Sequence, residues 1–370
     1  MRISEIGELS LVEIVRDRLS PGGARPSRAG LWTRPESGPG LLLGVGDDAA
    51  AWWADGRLQV ATTDTMIEDV HFRRAHVTGQ ELGWKALAIS VSDVAAMGGQ
   101  PRYALLNLGL PGETDVAFVQ ALYEGLLAVA ERFGLAIAGG DTVSAPVITL
   151  ATTLIGDAYE VPVDESGPIA SAECRGAPAF RLLLRSAAKP GDVVAVTGQL
   201  GASAAGMWML LSDRSIPGEL GTRLRQAHLQ PMPRVEAGRC AVAGGLVCGM
   251  DISDGLLIDL GRLAAASGVE ARIRASCVPV SDMARAAYPD DCLKLALAGG
   301  EDYELILVGP AGLVAKVQAQ TSVPVTVIGE IAAGQPGAVK VLDERGDEVR
   351  VARSGWEHFR GQQWKNDPSR

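Results

Sequence analysis

The sequence predicts an α/β protein of the α+β type that is divided into two domains, and three observations lead to that prediction. At 370 residues the chain is long enough for two hydrophobic cores. From residue 41 onwards, short apolar runs typical of strands alternate with longer segments of helical periodicity. That alternation stops between Tyr159 and Lys189. We therefore predict an N-terminal domain over 1–160, an irregular linker over 161–181 and a C-terminal domain over 182–370.

The N-terminal half begins with apolar residues at helical spacing over 6–19, which predicts an amphipathic helix. The runs LLLGV and LQVATT are typical of strands, as are YALLNLGL, LAIAGG and VITLATTLIG further along. Thr78 with Glu81 three residues later predicts a capping box that opens a helix. The segment TDVAFVQALYEGLLAVAERFG predicts a second helix, which ends at Gly134.

The C-terminal half repeats the alternation of strands and helices. GDVVAVTG, YELILVGP and VPVTVIGEI are typical of strands. DISDGLLIDLGRLAAASG predicts a loop followed by a helix that ends at Gly268. VKVLDERGDEVRVA indicates a hairpin that turns at Arg345 and Gly346.

Composition and charge exclude several classes of protein. With 47% hydrophobic and 21% charged residues, the chain is neither disordered nor fibrous. A net charge of −10 disfavours non-specific binding to nucleic acid, whose phosphates an acidic surface repels. The five cysteines contain no C-x-x-C pair, and the acidic N-terminus is unlike a secretory signal. No apolar run is long enough to span a bilayer, so we expect a cytoplasmic protein that does not bind membranes.

Carboxylates recur beside small residues along the whole chain. They occur in GDDAA, TTDT, VSDVAAMGG, GGDT, DISDG and GGEDYE, and the members are Asp47, Asp48, Asp64, Asp93, Asp141, Asp251, Asp254, Glu301 and Asp302. Most follow an apolar run, so we expect them at strand ends, where ligands bind in α/β sheets. Converging carboxylates repel one another unless cations lie among them, and oxygen ligands favour Mg²⁺ or Mn²⁺. A single Asp beside Gly is more often a turn former, so both interpretations stay open on the pattern alone.

The ordered motifs resemble the thiamine-monophosphate kinase family, which shares a superfamily with aminoimidazole ribonucleotide synthetase and selenophosphate synthetase. The resemblance runs from residue 41 to 310 through GVGDDAA, TTDT, EDVHF, GWKALAISVSDVAAMGGQP, AGGDT, LRSAAKPGD, VTGQLG, DISDGL and GGEDYEL, with a weaker GWEHF at 355–359. It implies the two-domain aminoimidazole ribonucleotide synthetase-like fold, with the N-terminal sheet forming the interface of a homodimer. The common phosphate-binding loops, G-x-x-x-x-G-K-[ST] and G-x-G-x-x-G, are absent from the sequence.

The resemblance also implies an activity and a set of site residues. The family transfers the γ-phosphoryl group of ATP to thiamine monophosphate, which yields thiamine diphosphate, with several Mg²⁺ ions as cofactors. The implied catalytic residues are Asp48, Asp64, Asp93, Asp141 and Asp251. The implied metal ligands are these five together with Thr62, Thr63 and Asp254. Gly140, Arg185 and Ser253 are the implied nucleotide contacts, and His71, Glu301 and Trp356 those of thiamine monophosphate.

Two other functions remain open at this point. The chain resembles other ATP-using members of the superfamily less closely: selenophosphate synthetase usually carries an N-terminal Cys or selenocysteine near a Lys, whereas the first cysteine here is Cys174. A non-catalytic protein that binds a magnesium nucleotide would also carry the carboxylates. Lys85 is expected to be a surface lysine or a snorkelling one, whose stem lies on apolar surface while its ammonium group reaches water.

Overall fold

The computed structural model of the chain describes Ser10 and residues 31–32, 41–162, 179–212, 215–349 and 351. Three predictions lie outside this part of the chain: the helix predicted over 6–19 apart from Ser10, most of the linker predicted over 161–181, and the predicted site residue Trp356. The described residues fold into strands and helices that alternate in sequence, as the periodicity predicts.

The described residues form three sheets. The strands are β1 (Leu31–Trp32), β2 (Leu41–Leu43), β3 (Ala50–Ala54), β4 (Arg57–Ile67), β5 (Gln100–Leu110), β6 (Ala136–Ser144), β7 (Thr149–Asp157), β8 (Tyr159–Val161), β9 (Ala179–Arg181), β10 (Val193–Thr197), β11 (Cys248–Asp251), β12 (Glu270–Arg274), β13 (Leu305–Gly309), β14 (Val325–Ala332) and β15 (Val339–Leu342). The N-terminal sheet has the order β2-β3-β4-β7-β5-β6 and the C-terminal sheet the order β11-β13-β10-β14-β12-β15. A small sheet, β1-β9-β8, completes the set.

Nine α-helices accompany these sheets in the described ranges. They are α1 (Gly79–Ala96), α2 (Val116–Phe133), α3 (Ala202–Leu211), α4 (Gly218–Leu229), α5 (Val235–Gly244), α6 (Leu256–Ser267), α7 (Asp282–Ala287), α8 (Cys292–Ala298) and α9 (Ala311–Gln320). The predicted capping box is confirmed, because the Thr78 and Glu81 side chains each accept a hydrogen bond from the other residue's backbone. Gly134 ends α2 and Gly268 ends α6, both in the left-handed conformation.

Helices α1 and α2 lie unusually close together because glycines form their contact. A Cβ atom on Gly83 would lie 1.9 Å from the carbonyl oxygen of Leu122, and one on Gly125 would lie 2.0 Å from that of Gln80. The backbones therefore touch where any larger residue would separate them. Leu82, Leu87, Leu122 and Leu126 fill the rest of this N-terminal core, with other buried residues of the same cluster. The contact fixes α1, which carries several predicted site residues.

The expectation that the carboxylates lie at strand ends is wrong for three of them. Asp64 lies within β4, Asp93 within α1 and Asp141 within β6. The physical reason is that β4 and β6 continue past these residues, to Ile67 and Ser144, and that the apolar run before Asp93 forms a buried helix and not a strand. Asp251 does end β11, as expected. Asp47 and Asp48 lie in the turn before β3, a strand that the sequence analysis missed.

The remaining predictions of secondary structure also have definite outcomes. The turn at Arg345 and Gly346 follows β15, and Val349 donates a backbone hydrogen bond to Val341 as in a hairpin. The four cysteines in the described ranges form no disulfide. No described helix has the length and apolar character needed to cross a membrane.

Candidate functional site

Three carboxylates from separate parts of the chain meet between the two halves of the fold. Asp48 comes from the turn before β3, Asp93 from α1 and Asp251 from the end of β11. One oxygen of each lies within 4.8 Å of the others. We call these three residues the carboxylate cluster. It joins residues of the N-terminal and C-terminal halves, so it exists only when both halves are folded.

Burial makes the carboxylate cluster electrostatically unfavourable without a cation. Burial raises the pKa of Asp93 well above its ordinary value, and the charges of Asp64, Asp251 and Asp48 raise it further. The pKa of Asp251 is likewise raised, first by burial and then by Asp48. Burial also raises the pKa of Asp64, which lies beside Asp93 and therefore adjoins the cluster.

Hydroxyl groups orient these carboxylates. Thr62 donates a 2.5 Å hydrogen bond to Asp93. The hydroxyl of Ser92 lies 2.7 Å from Asp251, and that of Ser90 lies 2.8 Å from Asp64. Sequence reasoning missed both serines. The available signal was their position in the otherwise apolar run ALAISVSDVAA, because a buried hydroxyl requires a hydrogen-bond partner.

Arg185 brings positive charge to the edge of the cluster. Its guanidinium donates a short hydrogen bond to Asp48, and its backbone N–H lies 3.3 Å from an oxygen of Asp47. Burial raises the pKa of Asp47 to about 7, and the charge of Asp48 adds to that effect. A planar guanidinium fits phosphate oxygens as well as carboxylates, so the predicted nucleotide contact of Arg185 remains chemically reasonable. That contact stays a prediction.

The donor set of the cluster fits a divalent cation. The second oxygen of Asp48 is buried and makes no hydrogen bond within the described part of the chain. A buried carboxylate oxygen without a partner is costly, and a metal ion would satisfy it. Because all of the converging ligand atoms are oxygens, Mg²⁺ fits better than zinc.

The DISDG loop is held by an aspartate that the sequence analysis did not select. One oxygen of Asp259 accepts hydrogen bonds from the backbone N–H groups of Ser253, Asp254 and Gly255, at 2.9–3.0 Å. Asp254 is ion-paired with Arg262 and stands apart from the carboxylate cluster. The predicted nucleotide contact of Ser253 and the metal role of Asp254 stay predictions.

Three other predicted residues are not brought to the cluster within one chain. Thr63 neighbours Thr62 and Asp64 along β4, so its side chain points to the opposite face of the sheet. Gly140 and Asp141 lie on the edge strand β6. Asp64 lies on β4, and the strands β7 and β5 lie between β4 and β6. The strand β6 is therefore three strand spacings, or roughly 14 Å, from Asp64.

A second group of polar residues surrounds Glu301. Its carboxylate lies 2.7 Å from Nζ of Lys85 and 3.3 Å from Nδ1 of His228. The charge of His71 also acts on Glu301, so the structure brings together the two described residues predicted to contact thiamine monophosphate. The expectation that Lys85 is a surface or snorkelling lysine is wrong, because its side chain is only 2% exposed. The ion pair with Glu301 is the physical reason that this ammonium can be buried.

Family models place this chain among the AIR synthase related proteins. Residues 46–158 match the model of the AIR synthase related protein N-terminal domain. Residues 189–342 match the model of the C-terminal domain. The predicted two-domain fold is therefore confirmed, and the two matches leave a gap where the linker is predicted.

Individual relatives identify the family more narrowly. The thiamine-monophosphate kinase of Salmonella typhimurium is 35% identical over 95% of this chain and 98% of its own length, and that of Bacillus subtilis is 33% identical over 86% and 94%. The solved structure described as "AaThiL complexed with AMPPCP and TMP" is 29% identical with a TM-score of 0.77 and covers 97% of this chain and 99% of its own. The chain belongs to the thiamine-monophosphate kinase family.

Proposed function

We propose that the protein transfers the γ-phosphoryl group of ATP directly to thiamine monophosphate, with thiamine diphosphate and ADP as products. The observation that carries the proposal is the carboxylate cluster, where three buried carboxylates from both halves of the chain lie within 4.8 Å of one another. Membership of the kinase family and the AMPPCP and TMP of the solved relative support the choice of substrates.

The carboxylate cluster would hold Mg²⁺, with Asp64 and Thr62 beside it. Bound Mg²⁺ would neutralise the charge of the phosphate oxygens during in-line transfer. The chain's own residues then act by position: the serines fix the carboxylates, and Arg185 adds a fixed positive charge. No protein nucleophile is required, since the acceptor phosphate itself attacks.

The acceptor is proposed to lie against the second polar group, with His71 and Glu301 as its contacts. A small pocket lies between the two halves beside this group; His71, Phe72, Lys85 and His228 are among the residues that line it, and Glu301 is not. Its walls combine apolar side chains with a few polar ones. The contribution of Trp356 stays a prediction.

The experiment that tests the activity is ³¹P NMR of the purified protein with ATP, Mg²⁺ and thiamine monophosphate. We expect thiamine diphosphate and ADP to appear together, and EDTA to abolish both signals because the cluster needs its cations. A reaction without acceptor is the control for simple ATP hydrolysis. ATP binding without transfer would contradict the proposal and favour a non-catalytic nucleotide-binding protein or another enzyme of the superfamily.

The exposed face of the N-terminal sheet supports a homodimer. Tyr103 and Leu105 of β5 and Val143 of β6 are exposed on the face opposite the helices. An apolar patch of this kind is typical of a protein interface. Asp141 pairs with Asn107, and both lie on this exposed face. Any metal-binding role of Asp141 therefore depends on what covers this face of the sheet. The domain boundaries and the cytoplasmic location stay predictions.

Replacement of Leu105 by Glu is expected to convert the dimer into a monomer, because a carboxylate would be buried against the apolar partner surface. Light scattering after gel filtration measures the change in mass. Gly112→Ala is the control variant, because a Cβ atom at Gly112 meets no other atom within 4 Å. A wild-type protein that elutes as a monomer at micromolar concentration would contradict the dimer.

A further inference from the structure

The DISDG loop contains an anion site that the chain itself fills. The N–H groups of Ser253, Asp254 and Gly255 all donate hydrogen bonds to one oxygen of Asp259, at 3.0, 2.9 and 3.0 Å. Successive N–H groups that converge in this way form a concave site of the kind that holds phosphate in nucleotide-binding loops. Here the anion is a carboxylate of helix α6, which begins directly after the loop. The three N–H groups are therefore already satisfied.

The Asp259 carboxylate is fixed in this position. Asp259 is completely buried. Its other oxygen lies 3.0 Å from Nη1 of Arg262, and the same guanidinium makes an ion pair with Asp254. Withdrawal of the carboxylate would leave buried donors without an acceptor, which costs more than a typical hydrogen bond gains. We therefore expect Asp259 to stay against the loop when a ligand binds.

The opposite side of the loop backbone is also held. The carbonyl oxygen of Ser253 accepts a 2.7 Å hydrogen bond from the N–H group of Glu301. Gly255 has a φ of 121°, and a Cβ atom there would lie 3.1 Å from the backbone at the end of α8. The side chains of Ser253 and Asp254 are only partly buried, so they are the groups that the loop can offer to a ligand.

This loop borders the carboxylate cluster. Asp251, a member of the cluster, lies two residues before Ser253. The hydroxyl of Ser92 lies 2.7 Å from Asp251 and fixes it from helix α1. Because the loop is held on both sides, the side chains of Ser253 and Asp254 keep a fixed place beside the proposed metal site.

We propose that Asp259 is a positioning residue whose carboxylate takes the place of a phosphate in the loop, so that the nucleotide and its cations meet the side chains of Ser253 and Asp254 and not the loop N–H groups. This inference rests on the proposed function, in which a magnesium nucleotide lies at the carboxylate cluster. It assigns the neutralisation of the polyphosphate to bound cations and Arg185, which fits a sequence that lacks both common phosphate-binding loops.

The test is isothermal titration calorimetry with the magnesium complex of AMPPCP, a non-hydrolysable ATP analogue, in the absence of thiamine monophosphate. Asp259→Ala should raise the Kd of this complex by at least about tenfold, because the loop loses the acceptor that fixes it. Asp259→Asn should raise the Kd less, because an amide oxygen still accepts a hydrogen bond. In kinetic assays, Asp259→Asn should raise KM for ATP more than KM for thiamine monophosphate.

Glu270→Ala is the matched control for a loss of stability. Glu270 is a carboxylate of the same half that is also buried and also bound to an arginine, Arg272, at 2.8 Å. It lies on β12, four strand spacings from β11 in the C-terminal sheet. Its removal should therefore leave the Kd of AMPPCP within about twofold of the wild-type value.

The sign of the change is decisive. If the loop N–H groups themselves bound phosphate, Asp259→Ala would free them and remove a negative charge, so AMPPCP would bind more tightly. Tighter or unchanged binding would therefore overturn the inference, as would an equal loss of affinity in Glu270→Ala. If Asp259→Ala does not fold, Asp259→Asn decides, and an unchanged Kd there overturns the inference. A wild type that binds AMPPCP but transfers no phosphate overturns the proposed function alone, because the calorimetry contains no acceptor.

Discussion

Replacement of Asp93 by Asn should lower kcat by about three orders of magnitude with little change in KM for thiamine monophosphate. Asp93 is the central member of the carboxylate cluster, since the charges of Asp64, Asp251 and Asp48 all act on it. An amide keeps the size of the side chain but removes the charge that a divalent cation requires. Initial rates over a range of Mg²⁺ concentrations measure the loss, and Asp290→Asn at an exposed position is the control.

The same substitution should stabilise the metal-free protein, most of all at higher pH. The pKa of Asp93 is higher in the folded protein than the value of about 4 expected in the unfolded chain. The folded state therefore binds the proton more tightly and loses stability as the pH rises above about 4. In EDTA, the free energy of unfolding of the wild type should fall relative to that of Asp93→Asn as the pH rises above about 4. Parallel curves for the two proteins would contradict this account.

Replacement of Gly83 by Ala should reduce the stability of the protein by about 3 kcal/mol. The added Cβ would lie 1.9 Å from the carbonyl oxygen of Leu122, and a backbone atom cannot move aside as a flexible side chain can. The helices α1 and α2 must separate, which opens voids in the N-terminal core. Thermal unfolding should show a decrease in Tm of roughly 6–12 °C.

Gly112→Ala is the matched control, since a Cβ there meets no atom within 4 Å. Gly125→Ala should behave like Gly83→Ala, because its Cβ would lie 2.0 Å from the carbonyl oxygen of Gln80. If both helix variants unfold at the wild-type temperature, the close packing of α1 against α2 does not limit stability.

Local signals in the sequence predicted much of the fold. The capping box at Thr78 and the glycines at the ends of α2 and α6 depend only on neighbouring residues, so they could be identified without tertiary information. The strand β3 was missed because its sequence, AAWWA, follows two carboxylates and lacks the alternation that indicates a half-buried strand.

The site was predicted less completely because its geometry depends on long-range pairing. The carboxylates of the cluster were identified from their sequence neighbours, but no local pattern showed that Asp141 lies three strands away from Asp64. The burial of Lys85 depends on Glu301, more than two hundred positions further along the chain. Such pairs are visible only when the two halves of the fold are assembled.

Helix α1 carries one residue at the proposed acceptor contact and another in the carboxylate cluster, so it relates the positions of these two sites. Lys85 supports the proposed acceptor contact Glu301, and Asp93 belongs to the carboxylate cluster. These residues are eight positions apart on one continuous helix, a rise of roughly 12 Å. Because an α-helix has a fixed rise per residue, Lys85 and Asp93 stay a fixed distance apart, and a compound that meets Glu301 and the phosphoryl donor at the same time must span the interval between the two sites. The enzyme would then discriminate among acceptors by reach as well as by chemical group.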